Sequence, residues 1–187
     1  MKKIGKIAVF LVALIAVAGV YGVIAYLTDT KEVTNVFSVG NVSITLTEPS
    51  WVEANGKDIL PGKVIANDPT ITNVGNNSAY VYMKVEVPKV TLKSGEGALF
   101  TYTVNEAWKE ITSAASDTDT TITKVYYYNS ALEKTEDATL FESVTVADYA
   151  PTIDNSQSIK VTGYAIQSEN LATGTDIPGA YTANFAS

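Results

Sequence analysis

Nine residues, Ala79-Tyr80-Val81-Tyr82-Met83-Lys84-Val85-Glu86-Val87, place Ala, Val, Met, Val and Val at the odd positions and Tyr, Tyr, Lys and Glu at the even ones. A period of two fits a strand, whose successive side chains point to opposite faces, and does not fit the 3.6-residue period of a helix. The chain must therefore build a sheet with one face against a core. Less regular runs of the same kind are Val42 to Leu46, Thr70 to Val74, Leu99 to Val104, Ile122 to Tyr128, Leu140 to Val146 and Ser158 to Gln167. Turn-forming clusters separate them: Leu60-Pro61-Gly62, Asn73-Val74-Gly75-Asn76-Asn77, Lys93-Ser94-Gly95-Glu96-Gly97, Asp117-Thr118-Asp119 and Ala150-Pro151-Thr152. About seven short strands spaced in this way predict an all-β, antiparallel two-sheet sandwich over a barrel. Only Glu106 to Ala115 reads as a short helix. The chain shows no internal repeat, low-complexity tract or linker to a second domain.

Ahead of the strands, Lys2, Lys3 and Lys6 precede Ile7 to Leu27, twenty-one residues without a charge. About 20 apolar residues suffice to span a bilayer, and the run exceeds the usual core of a secretory signal, roughly 7–15 residues. The lysines favour a cytoplasmic N-terminus, so either reading delivers the chain beyond Leu27 to the outside. Val23-Ile24-Ala25 has the small-residue form of a cleavage site. Two readings stand: cleavage after Ala25, or a retained anchor. The first divides the chain into a signal-peptide helix at 1–25, an extended segment at 26–37 and the sandwich at 38–187.

Loss of residues 1–25 removes three lysines, takes the formal net charge from −7 to −10 and leaves 162 residues, enough for one domain with an adequate core. Such a surface disfavours nucleic acid and anionic lipid as partners. All thirteen basic residues are lysine, which excludes bidentate arginine clamps. With no cysteine, an exported fold must hold by its core alone, which suits a bacterial exterior. The absence of both histidine and cysteine excludes HExxH zinc binding and every Ser-His or Cys-His nucleophile. The remaining carboxylates are Asp117 with Asp119, Glu133 with Glu136 and Asp137, and Glu106 with Glu110. They read as solvated turns and faces without calcium-loop spacing, so no catalytic, metal or cofactor residue is expected. Lys63 and Lys84, with Asn or Glu nearby, have the residue types of an isopeptide crosslink, but nothing marks a triad. Trp51, Trp108 and the eleven tyrosines admit a sugar-binding face, although aromatic residues are ordinary in strands and cores. Tyr126-Tyr127-Tyr128 must alternate in direction, which predicts at least one ring on an outer face. "ILPG" at 59–62 lacks the threonine and tail of a sortase signal, and the sequons at Asn41 and Asn77 carry little weight in a bacterium.

Val42, Ile44 and Leu46 share one parity and Phe37 and Val39 the other, so the apolar face flips at Gly40-Asn41. The flip marks a bulge within one first strand or a hinge between two segments. In the hinge reading Tyr26 to about Phe37 is a separate segment able to pair away from its own domain, with Leu27, Val33, Val36 and Phe37 as apolar pegs.

"AYLTDTKEVTNVFSVGNVSITL", followed by "DILPGKVIANDPTITNVGNNSAYVYMKVEVP" at 58–88, resembles the TasA and camelysin family of exported proteins of Gram-positive bacteria. The resemblance is specific over residues 19–88 and looser beyond, where "LFESVTV" and "SIKVTGYAIQ" still fit. It implies cleavage by a SipW-type signal peptidase after Ala25, just ahead of Tyr26 and the Thr28-Asp29 pair, with Val23 at the third position back. It also implies a jelly-roll β-sandwich and a role in extracellular biofilm fibres. In such fibres each subunit inserts its N-terminal segment as a donor strand into the next, giving a head-to-tail homopolymer with minor fibre or anchoring proteins as further partners. A sandwich lacking an edge strand has a physical reason to accept one, and repeated head-to-tail contact gives a filament. The rival class is a monomeric cell-surface binding module, anchored or secreted. A camelysin-like peptidase is a distant third, because the chain lacks the residues for that chemistry.

Overall fold

A computed structural model of the chain describes residues 38–39, 42–56, 59–149, 157–170 and 176–186. In chain order the strands are β1 (Ser38–Val39), β2 (Ile44–Thr47), β3 (Val64–Ala66), β4 (Thr70–Asn73), β5 (Ala79–Leu92), β6 (Gly95–Ala98) and β7 (Phe100–Tyr102). They continue with β8 (Trp108–Glu110), β9 (Ser116–Asp117), β10 (Thr121–Tyr128), β11 (Asp137–Thr139), β12 (Ser143–Val146) and β13 (Lys160–Gln167), and a helix α1 (Ile177–Phe185) comes last.

One sheet runs β1-β13-β5-β10-β8, with β6 on the far end of β5 and β9 on the near end of β10. Opposite it lie two three-stranded sheets, β11-β4-β2 and β3-β12-β7. Every pairing is antiparallel except that of β1 with β13. The main core fills the space between these layers: Val81, Met83, Val85 and Val87 from β5 face Ile71, Phe100, Ala138, Val144 and Val146. The chain is thus the all-β sandwich that the period-two runs predict. Six of the seven apolar runs coincide with strands to within a few residues. In the seventh, Leu140 to Glu142 lie before β12 rather than within it.

Pro88 lies inside β5, where a missing N–H ought to break a ladder. It falls where the strand changes partners: β10 pairs β5 as far as Thr121↔Pro88, and β6 takes over from Lys89. Gly163 is a point of close approach. A Cβ there would sit 3.2 Å from Ile71 Cδ1 and 3.6 Å from Ile44 Cδ1, so its bareness lets the facing layer in.

Two expectations are corrected. Glu106 to Ala115 forms β8 and a single 3-10 turn at Thr112–Ala114, because Trp108 is buried on the core side and β8 pairs with β10. The helix lies instead at 177–185. Its residues form a second buried cluster with Tyr82, Ile111, Val125 and Ile166 on the other face of the large sheet. Tyr82, an even position expected on a half-solvated face, is therefore wholly buried. Tyr127 is half-buried against the same cluster.

Candidate functional site: the outer edge of β13

The expected processing residues Val23, Ala25 and Tyr26 and the expected pegs Leu27, Val33, Val36 and Phe37 lie outside the described residues. The strand that pairs with Ser38 and Val39, β13, is described. β13 is paired with β5 along its whole length on one side, from Lys160↔Glu86 to Gln167↔Ala79. On its other side, among the described residues, only Ser38↔Ala165 and Val39↔Ile166 are paired, and they run parallel. Val161 to Tyr164 thus form an edge without a described partner strand, and the chain just after Phe37 enters the sheet on it.

Alternation gives this edge two different faces. Val161 and Ala165 belong to the main core, with Gly163 between them on the same face, against Ile71 and Ile44. Tyr164 faces the other way. Its ring lies 5.4 Å from that of Tyr181, edge to face, and 4.9 Å from that of Phe185. The inner face is apolar and the outer one carries Thr162 and Tyr164, and Val161 to Tyr164 hold neither proline nor charge, the usual means of blunting an edge against another strand.

Helix α1 supplies the aromatic floor of the outer face. Asp176 caps it, its side chain accepting the Gly179 N–H, and Pro178 sits in the first turn, where a missing N–H costs nothing. The Tyr82 hydroxyl donates to the Ile177 carbonyl at 2.9 Å and ties the helix to β5. Burial, reinforced by Tyr80 and Asp176, pushes the Tyr82 hydroxyl far above its ordinary pKa, and burial beside Tyr164 does the same for Tyr181.

β1 and β2 belong to different sheets: Ser38 and Val39 lie on β13, while Ile44–Thr47 pair with β4 in the opposite layer. The described residues on the two sides of Gly40-Asn41 therefore belong to two different sheets rather than to one continuous strand.

The other sequence candidates go to structural partners. Asp117 pairs with Lys89 at 2.8 Å, Glu110 with Lys124 at 3.2 Å, and Glu136 accepts the Glu133 backbone N–H. Asp137 accepts the Thr72 hydroxyl. Among the described residues no group of three or more acidic side chains is placed to hold a metal ion. Lys84 pairs with Glu86 at 3.5 Å, and Lys63 Nζ donates to the Asn55 carbonyl. Trp108 is buried, its Nε1 donating to the Thr139 carbonyl, and Trp51 leans on the main core. Neither tryptophan is laid out as a sugar platform.

Sequence reasoning missed α1 and with it the aromatic side of the edge. The available signal was Asp176-Ile177-Pro178, a capping acid followed by a first-turn proline. Compared with known protein families and with curated proteins, the chain matches no family model and no curated sequence.

Proposed function

We propose that the chain is a structural subunit or accessory of an extracellular protein fibre in a biofilm matrix, similar to the TasA and camelysin proteins it resembles. In this reading a SipW-type peptidase cuts after Ala25 during export. The freed segment from Tyr26 to Phe37 then serves as a donor strand for the next copy, giving a head-to-tail homopolymer of jelly-roll sandwiches. The observation that carries the reading is the outer edge of β13, free of charge and proline from Val161 to Tyr164 and, among the described residues, met over only two residues by β1. Such an edge gains from a strand that satisfies its backbone groups and fills its side-chain positions. An acidic chain without histidine or cysteine suits a matrix component better than an enzyme, so no catalysis and no cofactor are part of the proposal.

The uncharged run from Ile7 to Leu27 favours a second reading, a surface module held by an uncleaved helix. N-terminal sequencing of protein from the cell exterior separates the two. Molecules beginning at Tyr26 are expected, whereas intact Met1 on most surface-exposed molecules would favour the anchored module.

A further inference from the structure

We infer that the outer face of the sheet β3-β12-β7 is a self-association surface, at which two copies of the chain meet face to face about a twofold axis. The register fixes what this face presents. Ile65, Phe100, Val144 and Val146 turn inward to the main core, so Val64, Ala66, Thr101, Ser143 and Thr145 turn outward. Val64, Thr145 and Thr101 stand side by side across the three strands as a β-branched rank, with Ala66 beside Ser143 next to it. No residue of the three strands carries a charge. Leu60 precedes the face by one tight turn, closed by the Lys63 N–H on the Leu60 carbonyl. Val52 leads into the 3-10 turn at Glu53–Gly56, which packs beside β3. Val64, Leu60 and Val52 are 63%, 67% and 55% exposed, so three large apolar side chains stand in water at one margin of this sheet.

Charge points to a second copy as the occupant. The chain is acidic, with a formal net charge of −7, and acidic copies repel one another. On the other side of the sandwich the large sheet sets Lys84, Glu86, Lys109 and Lys160 at its outer positions, and the sheet β11-β4-β2 carries Asp137 on its outer face. Two β3-β12-β7 faces can approach without opposing like charges. The hydroxyls of Thr101, Ser143 and Thr145 both donate and accept, which makes the face complementary to itself, as a twofold contact requires. Valine and threonine are stiff about χ1, so little freedom is lost when they are ordered against a partner. A sugar platform would require aromatic rings, and none is among the five outward residues. Three strands about 4.8 Å apart and only a few residues long, with Leu60 and Val52 beside them, offer roughly 300 Å² a side, well short of the ~800 Å² per partner of a stable pair. The contact is therefore weak between free copies and adds up where copies are already held in rows.

The chain has no cysteine, so a single introduced thiol reports its own surroundings. Thr145→Cys and Ser143→Cys lie on the middle strand, where a residue near a twofold axis faces its counterpart. Ser116→Cys, exposed on β9 in the large sheet, is the control. Protein recovered from the cell exterior is concentrated, treated with a short bismaleimide and run on a denaturing gel, and each variant is also melted and viewed by electron microscopy. Thr145→Cys and Ser143→Cys should each give at least tenfold more crosslinked dimer than Ser116→Cys. Adding Val64→Glu should abolish the excess and leave the melting unchanged, because Val64 is exposed. Dimer no more abundant than in the control, or an excess indifferent to Val64→Glu, would overturn the contact whether or not filaments are seen. Dimers without filaments would keep this contact and overturn the fibre, and filaments without dimers would do the reverse.

Discussion

Tyr82, Tyr102, Tyr126 and Tyr181 are the side chains whose chemistry the fold changes most. The Tyr102 and Tyr126 hydroxyls lie 3.2 Å apart, and Tyr102 stacks on Phe141 at 4.4 Å. Burial is the first cause raising the pKa of all four above the ordinary tyrosine value. Their pKa values are raised in the fold, so above about pH 10 the unfolded chain releases protons that the folded chain keeps. Stability contributed in this way is complete below pH 10 and falls as pH rises. The denaturation midpoint should be insensitive to these groups up to about pH 10 and then decline, by up to about 1.4 kcal/mol per pH unit for each tyrosine held neutral. Tyr102→Phe should soften the decline, and a midpoint that climbs above pH 10 would contradict the assignment. At this scale the sequence shows which residues are aromatic but not which are sealed. Thr135 is similarly opaque: its φ of +66° places a β-branched residue in the left-handed region inside a turn with no glycine to announce it.

Helix α1 shows how element boundaries depend on tertiary context. Its sequence, IPGAYTANF, holds proline, glycine, threonine and asparagine, all poor helix formers, so propensity argues against it. It forms because Tyr181 and Phe185 cover the even side of β5 and β13, and because Asp176 starts it. Asp176→Ala should cost about 1 kcal/mol, typical of a lost cap. Gly179→Ala ordinarily favours a helix, but here its Cβ would come within 2.3 Å of the capping Asp176 oxygen. Both changes should therefore lower the denaturant midpoint, and a stabilising Gly179→Ala would show that the cap does not form. Conversely, residues 106–115 are rich enough in good helix formers to suggest a helix, and lose it because Trp108 is drawn into the core and β10 offers a ladder. The flip at Gly40-Asn41 was legible as a change of face. That the change is also one of sheet required knowing the partners of β1 and β2.

For the molecule as a whole, the alternation at Ala79 to Val87 and the turn-rich gaps were enough to specify a sandwich, because a half-buried sheet imposes its period directly on the sequence. Pairing order imposes no such mark, so neither the place of β13 beside β5 nor its outer edge could be read from residues alone. The apolar residues of the proposed donor segment were legible in the sequence, whereas the edge of β13 emerged only from its pairing with β5 and β1. The central claim is that residues 26–37 join copies and are dispensable to the single domain. Electron microscopy of residues 26–187 beside a variant beginning at Ser38, with thermal melting of both as monomers, tests it most directly. Filaments are expected from the first and none from the second, with similar melting of the two. Filaments from the shortened variant would contradict the claim.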